Sequence, residues 1–155
     1  MEKAMERIKA ARKVIWLEEP PDIGRLRSKK GARNQGASAV LYAATKLATL
    51  ITFLNHVRRV AKQGGVDPET MKMVTEPFLE FHADLYGGFY QLTDTAEVVR
   101  WAKEALSEVK TLEDYATLMG ELALYLGRVD YWVDLEIPWA KFGQVFEEIA
   151  ARSQS

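Results

Sequence analysis

The chain of 155 residues holds two histidines, His56 and His82, and no cysteine. These few groups bound the chemistry available. His82 sits between Glu80 and Asp84, which invites a metal reading, yet residues two apart on a helix point to different sides. The paired Glu-x-x-His motifs of di-iron helical bundles are absent. No serine has a recognisable base partner, and there is no Walker or dinucleotide glycine pattern. Asp130 and Asp134 are four apart on one helical face beside Glu136, which reads as a solvated face. His82 reads as a bundle-edge side chain. These residues predict a protein that is not an enzyme, with no catalytic residues, no cofactor and no metal.

A second chemistry is better represented, that of contact with phosphate. Ser38, Tyr42, Thr45, Thr49, Thr52, His56, Arg59 and Gln63 recur at alternating steps of four and three, which is one face of a helix, with Lys46 at its flank. Short hydroxyls with Arg and Lys hydrogen-bond phosphate oxygens without reading base sequence. A core helix whose threonines bond back to their own carbonyls would produce the same stripe. The preceding loop favours phosphate. Arg25, Arg27, Lys29, Lys30 and Arg33 place five positive charges in nine residues, among Ser28, Asn34 and Gln35. Lys3, Arg7, Lys9, Arg12 and Lys13 add a basic surface to the first helix. All of these are candidate nucleic-acid-binding residues.

The elements that must position them are helical. Residues 37–63 lack Pro and Gly and predict one helix about 40 Å long at 1.5 Å per residue. It is apolar on most sides, which predicts that protein surrounds it. Residues 2–17 predict an amphipathic helix with Met1, Met5, Ile8, Ala11 and Ile15 as its apolar stripe, stopped by Pro20-Pro21. Gly64-Gly65 supplies a left-handed cap. Asp67-Pro68 opens a helix that runs through Phe78, with Pro77 as a kink or the start of its second half and Gly87-Gly88 as its end or break. Asp94 with Glu97 predicts a capping box opening 95–110. Thr111 with Asp114 predicts the cap of a six-turn helix, whose Gly120 and Gly127 allow a neighbour close. Pro138 opens the last helix, with Trp139, Phe142, Val145, Phe146 and Ile149. The fold class is therefore all-α, a helical bundle over 37–155 preceded by a basic helix and extended arm over 1–36.

The net charge of −1 conceals an asymmetry. Residues 1–63 hold 14 Lys and Arg against 5 Asp and Glu, a net of +9, and the remainder holds 7 against 17, a net of −10. A basic third joined to an acidic two-thirds predicts a polyanion on one side. The charged N-terminus lacks the apolar run of a secretory signal, and the absence of cysteine suits the cytosol. Residues 37–57 are long enough to span a bilayer, but Lys46 at the centre favours a helix buried in a soluble assembly.

A basic helix MEKAMERIKAARK, an arm RLRSKKGARNQG and a long apolar helix from Ala37 together resemble the major coat proteins of filamentous archaeal viruses, the rudivirus, lipothrixvirus and tristromavirus group. The resemblance implies a structural capsid protein that wraps double-stranded DNA, held in the A form, without sequence specificity. It implies pairing with copies of itself or with a related coat chain, and in some members a lipid envelope outside. It implies residence in the virion, with a cytoplasmic stage before assembly, and no small-molecule substrate. The sequence also predicts an obligate oligomer, since a lone chain would expose much of helix 37–63 and the apolar side of helix 2–17. A cellular architectural or regulatory DNA-binding protein is the alternative, although no convincing helix-turn-helix is present. A membrane-associated helical protein is a third reading.

Overall fold

The computed structural model describes residues 1–17, 19, 36–137 and 139–154, and no strand occurs among them. The candidate residues Arg25, Arg27, Ser28, Lys29, Lys30, Arg33, Asn34 and Gln35 lie outside the described residues. Six α-helices are described: α1 Glu2–Leu17, α2 Gly36–Gln63, α3 Pro68–Asp84, α4 Thr93–Leu106, α5 Leu112–Asp134 and α6 Trp139–Gln154. A single π turn, Leu85–Phe89, extends α3.

Local sequence explains most boundaries. α2 ends where Gly64 and Gly65 take φ of +75° and +77°, a conformation that costs any residue with a Cβ. Pro68 occupies the first turn of α3, where its missing N–H is no loss. Thr111 caps α5 as its spacing predicts, its hydroxyl accepting from the Asp114 amide at 3.0 Å.

Other expectations are corrected. Pro77 does not divide α3, which runs unbroken to Asp84. Gly87-Gly88 lies inside the π turn, and the chain reverses later, at Gln91 with φ of +59°. Gly87 is needed because a Cβ there would meet Ala96 Cβ at 3.2 Å, so the turn packs on α4 through it. The capping box at Asp94 and Glu97 does not form. α4 starts at Thr93 behind Leu92, which is fully buried. Burial of an apolar residue anchors this helix start, and Asp94 adds favourable charge in the first turn.

One core joins the helices. From α2 it takes Val40, Ala43, Leu47, Leu50, Leu54, Val57 and Ala61; from α5 it takes Leu118, Leu122, Leu126, Val129 and Val133. α2 and α5 run antiparallel: Arg58 lies against Gly120, while Lys46 and Asp130 both stand at Tyr86. α1 runs parallel to α5 on another side. Its Arg12 carbonyl accepts from Arg128 at 2.8 Å, and its Ile15 carbonyl accepts from Trp132 Nε1 at 2.6 Å. Met5, Ile8 and Ile15 of α1 are buried in the same core. The apolar side of helix 2–17 is thus covered within one chain, which corrects the expectation for it, whereas helix 37–63 buries one side and leaves much of the rest partly or fully exposed. What covers the buried sides is α5, whose apolar residues occupy more than one side.

His82 belongs to this core rather than to its edge, with 2% of its surface exposed. Its Nδ1 donates to the Phe78 carbonyl at 2.8 Å, and Phe78, Phe81 and Tyr86 surround the ring. Nε2 is buried without a hydrogen-bond partner. Burial, offset in part by the Phe78 bond, holds the imidazole below its ordinary value of 6.5, with Lys46 acting in the same direction. Asp130 is half-buried rather than solvated, and desolvation followed by Asp134 raises its carboxyl above the ordinary carboxylate range.

Candidate functional site

The described candidate residues fall on separate surfaces. Lys3, Lys9 and Lys13 are exposed on α1. Arg7 is exposed and stacks its guanidinium 5.6 Å from the Trp101 ring centroid. Arg12 turns inward and lies 3.0 Å from Glu121. On α2, Tyr42, Thr45, Thr49, Thr52, His56 and Arg59 are all exposed and form one outer face, with Lys46 half-buried at its flank. The backbone of Ser38 is helical, and its side chain lies outside the described set. Thr45 donates to the Leu41 carbonyl at 2.9 Å and Thr49 to the Thr45 carbonyl at 2.8 Å. Their hydroxyl protons are therefore already committed to the helix itself.

The concave site lies beside that face. Arg58, Ala61 and Lys62 of α2 face Leu112, Glu113, Ala116, Thr117, Gly120, Glu121 and Leu124 of α5 across a groove of roughly 640 Å³. The helical repeat builds it: 58, 61 and 62 share one side of α2, and 113, 116, 117, 120 and 124 share one side of α5. Ala61, Ala116 and Gly120 keep the floor low. Gly120 is decisive, because a Cβ there would stand 3.2 Å from Arg58 Nη1 and 3.4 Å from its Cδ. The sequence singles out Gly120 and Gly127 as places of close approach. At Gly120 the neighbour is the arginine side chain, whereas Gly127 meets nothing within 4 Å.

Arg58 is electrostatically unusual among the described residues. Its Nε is buried without a hydrogen-bond partner, and no described carboxylate pairs with it. Glu121 across the groove is already engaged by Arg12. Arg58 thus holds a fixed positive charge at the groove wall with hydrogen-bonding capacity in reserve, and Lys62 stands one turn further along. The opposite wall offers Glu113. The Thr117 hydroxyl donates to the Glu113 carbonyl at 3.0 Å. No base lies on it, so it is not an activated nucleophile. Arg58 and Lys62 are not among the candidate residues of the sequence; both flank the hydroxyl stripe of α2. The available signal was their spacing of four, combined with a glycine on a facing helix.

A model of the cucumopine synthase C-terminal helical bundle domain matches residues 1–135, from α1 to the end of α5. The chain belongs to this family. No curated protein and no solved structure matches it. Membership in the cucumopine synthase helical bundle family corrects the resemblance to viral coat proteins, and with it the reading of a capsid subunit that packages DNA. The alternative of a cellular DNA-binding regulator finds no support in it either. The expectation of a protein unconnected with enzymes is corrected as well, because the cucumopine synthase bundle is a domain of a synthase. The order of a basic helix, a long apolar helix and a bundle is common to both readings. It could not tell them apart, because it records chain order and not which faces meet.

Proposed function

We propose that this chain is the helical bundle of a small-molecule synthase, and that its part is to hold an anionic group of a ligand in the groove between α2 and α5. The observation that supports this is Arg58, a guanidinium without an ion-pair partner on the wall of a groove in a synthase-family bundle. Guanidinium matches carboxylate or phosphate in a two-point fork, and Lys62 adds a point charge. Glu113 on the facing wall accepts from a donor group of the same ligand. The groove binds rather than reacts, so the bond-forming step falls to groups outside it.

Titration calorimetry with succinate, glycine and inorganic phosphate tests the site and separates carboxylate, zwitterion and phosphate. One of the three is expected to bind, and Arg58→Ala is expected to weaken it by about 1.5–3 kcal/mol, or roughly 10- to 100-fold. Arg59→Ala, on the neighbouring outer face, should leave binding unchanged. The link to synthesis is read by mass spectrometry of cells with and without the gene, with cucumopine as the product sought. If all three probes fail to bind, and Arg58→Ala leaves product formation intact, the proposal is overturned.

A further inference from the structure

α6 stands off the bundle. Every described side chain from Gln144 to Ser153 is exposed, and Phe146 and Ile149 leave 67% and 52% of their surface in water. A lone helix of 16 residues is marginal in water, so an apolar stripe on it requires a partner. α5 carries an uncovered face of its own. Leu124 and Tyr131 are 53% and 56% exposed on it, and Gly127 between them faces open space.

The two faces agree in register. On α5, Gly120, which is already buried beside Arg58, and the open Leu124, Gly127 and Tyr131 are separated by four, three and four residues. On α6, positions 142, 146, 149 and 153 are separated by four, three and four as well. That is the alternation of an antiparallel helix pair with a shared seam. Residues 135–138 make a connection short enough for such a hairpin. Folded back about it, α6 sets Ile149 opposite Leu124 and Phe146 over Gly127. One of the two phenylalanines of the α6 stripe thus meets a residue without a side chain on α5. Beside the seam, Arg128 and Glu121 face Gly143 and Ala150, so no like charges are brought together.

We propose that α6 docks antiparallel on the outer face of α5 of its own chain, with Phe146 seated over Gly127. The docked helix ends at Gly120 and Leu124, which also line the groove between α2 and α5, so it covers that end of the groove. The docking stands whether or not the groove holds a ligand.

The chain has no cysteine, so introduced pairs report without background. Leu124→Cys with Ile149→Cys is compared under mild oxidation with Leu124→Cys and Ala151→Cys, which reaches as far along α6 but faces away. The first pair is expected to close within the monomer faster than the second by roughly tenfold or more, because docking holds position 149 against position 124 and turns position 151 away, whereas a tethered but undocked helix would give both the same effective concentration. Equal rates, or disulfide-linked dimers in place of monomers, would overturn the assignment. Hydrogen exchange gives a second reading on the uncrosslinked chain. Amides of α6 should be protected in the parent and lose that protection in Gly127→Glu. Exchange of α6 at unfolded rates in the parent itself would also defeat it.

Discussion

Thr75 and Tyr115 form a buried hydrogen bond of 2.5 Å between α3 and α5, and Thr75 donates its own proton to the Met71 carbonyl at 2.7 Å. Tyr115 is therefore the donor to Thr75. Tyr115→Phe removes one bond and leaves Thr75 satisfied, so it should cost about 1 kcal/mol. Thr75→Val strands the phenol in the core and should cost about 1–3 kcal/mol. Urea denaturation of the two variants tests that order. His82 predicts a pH dependence. Its folded-state value lies below 6.5, so the unfolded chain binds the proton more readily. This part of the stability is present above pH 6.5 and is lost as pH falls through 6.5 towards the lower folded value. Urea midpoints measured at pH 7.5 and pH 5 should therefore separate more in the parent than in His82→Leu. The environment of His82 was not legible beforehand, because Phe78 and Tyr86 surround the ring only once α3 and its π turn have formed.

Periodicity and punctuation made the helices readable, and their limits came from contacts that no local pattern encodes. Gly64-Gly65 and Thr111 are local devices, and they act where the sequence places them. Asp94 with Glu97 has the right local form, yet the start of α4 belongs to Leu92, which the core selects. The groove follows the same logic, since its two walls come from helices with the whole of α3 and α4 between them in sequence. Two glycines make contrasting predictions. Gly65→Ala meets no atom within 4 Å but must hold φ near +77°, so it should cost about 1–2 kcal/mol in thermal unfolding. Gly120→Ala gains up to about 1 kcal/mol of helix propensity while crowding Arg58. It should leave the melting temperature level or higher and weaken the groove's ligand, and calorimetry beside a thermal melt would show both.

Among the described residues the two charged parts of the sequence meet in places. α1 and α2 carry most of the cations, but α1 lies against α5, where Arg12 meets Glu121, and α2 supplies one wall of a groove whose other wall holds Glu113. One cation of the basic third, Arg12, thus pairs with the acidic remainder, while Lys3, Lys9, Lys13 and Arg59 stay exposed. For the same reason α1 acts as a member of the body. Ile8→Ala, at a fully buried site, should cost about 2–5 kcal/mol, while Val14→Ala, on the exposed side, should stay within about 0.5 kcal/mol. Chemical denaturation compares them directly. The bond from Arg128 to the Arg12 carbonyl spans 116 positions. During translation at about 5–20 residues per second, α1 leaves the ribosome roughly 6–23 seconds before its partner exists. A nascent chain stalled before residue 112 therefore lacks the helix that helps bury Met5, Ile8 and Ile15, and those side chains should lose their exposure only as α5 is completed.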